Sequence, residues 1–179
     1  KKKRNYNDTK IALIGHMGSG KSVLGKLIAK KLNLIHMDSD KIIENNTKKT
    51  INEIFNSEGE QSFRETEENI ILNLKNQNNF VLSLGGGSVL SLKVRKFLKD
   101  NFITVFLDVD IEELVQRLKN SSKRPLLIKN DIKKKITELD AIRRQYYLLA
   151  DIILKNYKTS NETYLNFISE YEKLNEKNH

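Results

Sequence analysis

Gly15-His16-Met17-Gly18-Ser19-Gly20-Lys21-Ser22 is the stretch from which the rest of this 179-residue chain is read. It has the form G-x-x-x-x-G-K-S. The apolar run Ile11-Ala12-Leu13-Ile14 stands directly before it, and helically spaced Val23, Leu24, Leu27, Ile28 and Leu32 follow. Strand, loop and helix in that order are the context a phosphate-binding loop requires. Glycines let the backbone wrap a polyphosphate with successive N–H groups pointing inward. The helix that begins there adds its unpaired N–H groups and the positive end of its dipole. Lys21 can reach the terminal phosphates and the Ser22 hydroxyl can ligate Mg²⁺. Gly18, Ser19, Gly20, Lys21, Ser22 and Val23 are therefore the candidate nucleotide contacts. A glycine-rich turn with a chance Lys-Ser is the competing explanation, and the flanking strand and helix count against it. The motif points to a nucleoside triphosphate and leaves open what is done with it.

The length fits one domain, 1–179, with an ordinary core and no need of staples. Cysteine is absent, which excludes disulfides, thiolate zinc sites and a cysteine nucleophile, and suits a reducing, cytoplasmic setting. Lys1-Lys2-Lys3-Arg4 looks like the start of a secretory leader, but no h-region follows and no run approaches membrane-spanning length. The formal charge of +9 raises nucleic acid as a partner. The excess is local, however: residues 1–10 hold five cations against one Asp, and residues 117–135 hold eight against one. No aromatic residue interleaves with the second cluster, as base stacking would want. A basic segment closing over a triphosphate accounts for it better, and residues 1–9 read as a solvated tail. Neither nucleic acid nor a membrane is expected as a partner, and the chain is expected to act as a monomer.

In chain order, the first strand is expected over 10–14 and the next helix to residue 32. A second apolar run, Leu34-Ile35-His36-Met37, ends at Asp38-Ser39-Asp40, and residues 41–49 are polar and rich in Asn and Lys. Thr50 and Glu53 form a capping-box pattern ahead of Ile54-Phe55, and a longer helix is expected over 60–74. Strands are expected over 80–84, 102–107 and 152–154. Helices fall over 92–98 and 111–118, then after Asp131 with Ile132, Ile136, Leu139 and Ile142 as the apolar face. A last helix opens on a second capping-box pattern, Thr159 to Glu162, and carries Leu165, Ile168 and Leu174. Short apolar strands alternating with helices imply a parallel sheet covered on both faces, with ligands beyond the carboxyl ends of the strands. That places the phosphate loop, Asp38, Asp40 and Gly85-Gly86-Gly87 along one rim.

Asp38 and Asp40 sit two apart at a strand end, so both can face one side. One could hold Mg²⁺ through water and the other could take a hydroxyl proton. Helix capping by Ser39 or Asp40 is the alternative use of this segment. Three successive glycines exceed what a turn needs and suggest backbone brought against a ligand. Arg64, with Glu60, Glu67 and Glu68 on its own helix, reads locally as a surface ion pair. Arg117, Arg124 and Arg143 are undecided on local grounds, and His16 and His36 read as packing or loop residues.

Taken in order, these pieces resemble the shikimate kinase family over nearly the whole chain, from Lys10 to Asp151. The resemblance rests on G-x-M-G-S-G-K-S, Asp38-x-Asp40, Ile54-Phe55 with Gly59-Glu60 and Phe63-Arg64-x-x-Glu67, and the triple glycine. Lys123-Arg124-Pro125-Leu126-Leu127 and Arg143-x-x-Tyr146 before Ala150-Asp151 complete it. It implies an α/β fold of the P-loop NTPase type: a parallel sheet of about five strands flanked by helices. A substrate-binding helical section would cover about 39–75, and a lid about 119–131. It implies Mg²⁺-dependent transfer of the ATP γ-phosphoryl group to the 3-hydroxyl of shikimate, in aromatic amino-acid biosynthesis. By the same resemblance Asp40 binds the reacting hydroxyl and is the candidate base, while Asp38 is the water-mediated Mg²⁺ ligand beside Ser22. Arg64 and Arg143 hold the shikimate carboxylate, Glu67 orients Arg64, Gly86 offers backbone, and Phe55 and Phe63 wall the pocket. Lys21 and Arg124 act on the phosphates, and Arg117 stacks on adenine. Many members have one more residue before the tyrosine, whereas this chain reads Arg143-Arg144-Gln145-Tyr146-Tyr147. Arg144 is therefore the alternative to Arg143. A gluconate- or nucleotide-kinase-like enzyme, and a non-catalytic P-loop binding protein, are the competing functions.

Overall fold

The computed structural model describes residues 9–119, 132–155 and 159–176. Five strands form one parallel sheet: β1 (Lys10–Ile14), β2 (Ile35–Asp38), β3 (Phe80–Ser83), β4 (Ile103–Asp108) and β5 (Ile152–Lys155). Their order across the sheet is β2-β3-β1-β4-β5. Parallel neighbours need crossovers, which the helices supply: α1 (Lys21–Leu32), α2 (Ser39–Thr47), α3 (Ile51–Leu72), α4 (Leu92–Asn101), α5 (Ile111–Lys119), α6 (Ile132–Tyr147) and α7 (Ser160–Glu176). The chain leaves β1 toward β2 on one side and later crosses from β3 to β4 on the other. β1 therefore ends at the switch point, where a parallel sheet opens a crevice for ligands.

Alternation along the strands divides the core in two. Ile11 and Leu13 of β1 join Val81, Val105 and Leu154 on the face covered by α1 and α7, through Leu24, Ile28 and Phe167. Ala12 and Ile14 join Leu82 and Phe106 on the opposite face, against Ile71 of α3, Val94, Phe97 and Leu98 of α4 and Tyr147 of α6. The strands of the sheet centre are buried on both faces, which is why they read as unbroken apolar runs. Asp151 clips the start of β5 to β4: its carboxylate accepts from Thr104 N at 2.8 Å and Thr104 Oγ1 at 2.9 Å.

Several sequence expectations shift. The Asn- and Lys-rich residues 41–47 are helical, because Asp38 caps α2 by accepting from the backbone N–H groups of Asp40 and Lys41. The cap is thus Asp38, and neither Ser39 nor Asp40. The two helices expected around 50–74 are both present within the span α3 and meet at Gly59, whose non-helical φ of 81° a side chain would resist. Its capping box between Thr50 and Glu53 is formed. Ile142 and Leu165, expected to face the core, are 54% and 66% exposed. Arg143 lies inward in place of Ile142, and Phe167 takes the place of Leu165.

Candidate active site

The donor half of the site is local in sequence. Gly20 stands at the N-cap of α1 with φ 94°, a left-handed turn that lets the first helical N–H groups face the loop. Lys21 Nζ donates to the carbonyl oxygens of Gly15 at 2.9 Å and His16 at 2.7 Å, so the ammonium stands against its own loop. Ser22 Oγ donates to Asp38 Oδ2 at 2.8 Å. Beside the loop runs a cavity of about 420 Å³, lined by Gly18, Ser19, Gly20, Val23, Glu113, Arg117, Lys155 and Thr163 among others. Its size suits a nucleotide. Arg117 reaches it while its Nε donates to Glu113 at 2.9 Å and its Nη1 approaches the Gly18 and Ser19 carbonyls at 3.4 Å.

The two aspartates do not face one way, as a continued strand would have had them. After Asp38 the chain turns into α2, so Asp38 is aimed at Ser22 on the donor side while Asp40 sits on the first helical turn. Asp40 Oδ1 lies 3.0 Å from where a Cβ on Gly85 would stand, and Glu67 Oε1 lies 2.7 Å from that point. One residue on, a Cβ on Gly86 would lie 3.2 Å from Arg143 Nη1. On Gly87 it would overlap the Arg64 guanidinium. The triple glycine is thus the meeting place of two carboxylates, Asp40 and Glu67, and two guanidinium groups, Arg64 and Arg143, drawn from α2, α3 and α6. The turn itself is held by Ser39 Oγ, which accepts from Gly85 N at 2.9 Å, and by Tyr147 Oη, which donates to Gly86 O at 2.6 Å.

Arg64 is more than a surface ion pair. Its Nη1 donates to Glu67 Oε2 at 2.7 Å, and the Glu67 side chain is 2% exposed, with Ser88 Oγ donating to its other oxygen at 2.6 Å. Arg143 is 7% exposed, and its buried Nε has no hydrogen-bond partner among the described residues. An unsatisfied buried guanidinium nitrogen is costly, and an anionic ligand would relieve it. Arg144, its neighbour, instead makes a two-point contact with Asp108 at 3.1 and 3.0 Å, which raises its pKa further above the ordinary value. Of the two adjacent arginines, then, Arg143 stands at the glycine turn and Arg144 on the end of β4. Phe55 and Phe63 lie 4.6 Å apart between centroids, tilted by 37°, and pack with Ile43 and Ile54. Arg124, and with it residues 120–131 of the expected lid, lies outside the described residues, as do residues 156–158.

Three residues at this turn and loop were given no role in the site from the sequence: Ser39, Asp140 and Tyr147. Tyr147 is fully buried, and burial pushes its hydroxyl up to about 12. His16, read as a packing or loop residue, is buried and bonded through Nε2 to Asp140 Oδ1 at 2.8 Å. The only hint of this face in the sequence is the spacing of Asp140, Arg143 and Tyr147, which share one side of a helix. Ser22 and Asp38 offer two hard oxygen donors side by side at the phosphate loop. That suits Mg²⁺, which keeps most of its waters and takes few protein ligands.

Comparison with known proteins shows the family to which the chain belongs. The shikimate kinase family model matches residues 17–172. A shikimate kinase of Bartonella henselae is 39% identical over 153 residues, which is 86% of this chain and 73% of that protein. A solved shikimate kinase of Bacteroides thetaiotaomicron superposes with a TM-score of 0.86 at 30% identity, covering 92% of this chain and 98% of the other. A shikimate kinase of Acinetobacter baumannii, solved in complex with shikimate, gives a TM-score of 0.84 at 32% identity, covering 93% and 94%.

Proposed function

The chain belongs to the shikimate kinase family and is an ATP-dependent kinase of shikimate, and on that premise we propose how its own residues divide the work. The observation that carries the proposal is the convergence of Asp40, Arg143 and Arg64 on Gly85, Gly86 and Gly87 in turn. Two guanidinium forks beside one backbone turn form a clamp for a carboxylate, and each can bind it through two hydrogen bonds. Glu67 holds one fork in place from its buried position. Shikimate carries one carboxylate and three ring hydroxyls, so the clamp orients the ring and presents one hydroxyl to Asp40. Phe55 and Phe63 support the apolar side of the ring.

Asp40 accepts the proton of the 3-hydroxyl as the oxygen attacks the γ-phosphorus of ATP. The new P–O bond forms as the bond from the γ-phosphorus to the β–γ bridging oxygen breaks, and ADP leaves with that oxygen. Lys21, the loop N–H groups and the N-terminus of α1 stabilise the charge spread over the transferring oxygens. Ser22 and Asp38 would hold one Mg²⁺, which would offset the negative charge of the phosphates. Arg117 binds the base end of the nucleotide, and Arg124 reaches the phosphates from the segment read as a lid. A cytoplasmic location and a monomeric state belong to the same proposal. Among the described residues no helix is long and apolar enough to cross a membrane.

A coupled ADP-release assay tests the function directly. Shikimate should be consumed with one ADP released per shikimate 3-phosphate, while gluconate, AMP and CMP should give no turnover above the ATP-only rate. Faster turnover of any of these three than of shikimate would overturn the acceptor assignment, and shikimate binding without ADP release would replace catalysis with a binding role.

A further inference from the structure

Among the described residues, the phosphate loop and the helix that carries Arg143 are joined by a largely buried polar contact, which the roles above leave unused. His16 belongs to the loop, and its Nε2 lies 2.8 Å from Asp140 Oδ1, with side chains 5% and 15% exposed. Burial is the largest influence on the imidazole and pushes its pKa below the ordinary value; Asp140 opposes the shift, while Arg143 and Lys21 add to it. A neutral ring can meet a carboxylate only with its hydrogen on Nε2, so the contact is a hydrogen bond donated to Asp140. The same ring stands edge to face with Tyr147, 5.1 Å between centroids at 87°.

Asp140, Arg143 and Tyr147 follow one another at i, i+3 and i+7 on α6 and so share one face. That face touches the donor's loop at Asp140 and the acceptor's glycine turn at Tyr147, with Arg143 between them. His16 in turn touches the donor cation through its backbone, since its carbonyl accepts from Lys21 Nζ at 2.7 Å. We propose that His16 and Asp140 are positioning residues, whose contact holds α6 against the phosphate loop and so sets where Arg143 stands relative to the nucleotide. The inference rests on the assignment of Arg143 to the acceptor. A guanidinium clamp is sensitive to such placement, because a shift of about 1 Å can cost on the order of a hundredfold in rate. Asp140 Oδ1 also lies 3.6 Å from Arg144 Nη1, but Arg144 keeps its two-point contact with Asp108 when the His16–Asp140 contact is lost, so α6 retains a second anchor and the expected consequence is a displaced arginine in a folded chain.

Three substitutions in the full chain test this. His16→Phe keeps a ring against Tyr147 and removes the donor, Asp140→Ala removes the acceptor, and His16→Gln keeps a donor near the position of Nε2. KM for each substrate is read by ADP release, and shikimate binding by calorimetry. His16→Phe and Asp140→Ala should each weaken shikimate binding roughly tenfold, or about 1.4 kcal/mol, with KM for ATP changed by less than about twofold. The double variant should be no worse than either single one, and His16→Gln should recover most of the loss. A packing role alone would lower thermal stability while leaving the shikimate affinity untouched, or would raise both KM values together. Either result overturns the inference, as does additivity in the double variant. Asp140→Ala, remote from the loop backbone, decides by the same ratio if His16→Phe does not fold. A wild type that turns over no shikimate would remove the proposed function and this inference with it; active wild type with unshifted variants would remove this inference alone.

Discussion

Gly87→Ala places a single methyl group where the structure puts the Arg64 guanidinium. At Gly87 φ is −92° and ψ −9°, a conformation open to any L-residue, so alanine adds no backbone strain. The turn cannot easily withdraw: it is pinned by Ser39 Oγ on Gly85 N, by Tyr147 Oη on Gly86 O, and by Ser88 N donating to Gly85 O at 3.1 Å. The arginine head is therefore what moves. Its movement breaks the 2.7 Å contact with Glu67, leaving that buried carboxylate with Ser88 alone. A hydrogen bond to a charged group contributes about 1.5–3 kcal/mol. Arg64 is a quarter exposed and can turn to water, so the lower end applies, and Tm should fall by roughly 2–4 °C per kcal/mol in a chain of this size. On the acceptor side, losing one fork of the clamp should raise KM for shikimate at least about tenfold, or about 1.4 kcal/mol. KM for ATP should stay within about twofold of wild type, because Arg64, Glu67 and Gly87 do not line the nucleotide cavity. ADP release is measured with shikimate varied at saturating ATP and then with the two exchanged. Because the methyl acts through Arg64, adding Gly87→Ala to Arg64→Ala should weaken shikimate no further. A folded Gly87→Ala protein with wild-type KM for shikimate, or one whose only change is in ATP, would refute the reasoning.

Lys21→Ala should leave a folded chain with turnover lower by orders of magnitude, since phosphoryl transfer depends on cations placed at the transferring oxygens; near-normal turnover would take the loop out of the mechanism. Asp38→Asn should raise the Mg²⁺ concentration needed for half-maximal rate while keeping much of the cap on α2, whereas Asp40→Asn should depress turnover at every Mg²⁺ concentration. Identical Mg²⁺ titrations of the two variants would cancel their separate roles. Arg143→Lys should weaken shikimate by more than about tenfold, because an ammonium cannot replace the fork. Arg144→Lys, on Asp108, should affect thermal stability more than KM for shikimate; the reverse pattern would exchange the two residues. The depressed pKa of His16 gives a signed pH effect: the unfolded chain binds this proton near 6.5, the folded chain only at lower pH. Its contribution to stability is therefore complete above pH 6.5 and is lost as pH falls through the folded value. His36 has the same sign. Thermal melts from pH 7.5 to 5 should fall less steeply for His16→Phe than for wild type, and equal slopes would contradict the shift.

The donor half of this site was legible because it is local. A glycine-rich loop between an apolar run and a helix needs only its own backbone to cradle phosphates, and Gly20, Lys21 and Ser22 stand where G-x-x-x-x-G-K-S implies. The helix starts were legible for the same reason, since a capping box closes within four residues, as at Thr50 with Glu53 and Thr159 with Glu162. The residues proposed for the acceptor were named only through the ordered resemblance to a family. Local chemistry made Arg64 a surface pair because nothing in its own helix shows that Glu67 is buried beneath the glycine turn.

The sequence by itself determined the strand–loop–helix donor unit, the alternation of strands and helices and hence a parallel sheet, since these depend on periodicity and contacts a few residues apart. Only the tertiary structure decided which side chains meet. Asp40, Arg64, Gly86 and Arg143 come from four segments, brought together by the β2-β3-β1 strand order and the packing of α3 and α6 on one face of the sheet. The choice between Arg143 and Arg144 turns on the rotation of α6 about its axis. Apolar spacing placed Ile142 inward, yet long-range contacts of Asp140 with His16, Arg144 with Asp108 and Tyr147 with Gly86 turn Arg143 to the site and Ile142 to water. Those partners lie between 36 and 124 residues away along the chain, beyond the reach of any local pattern.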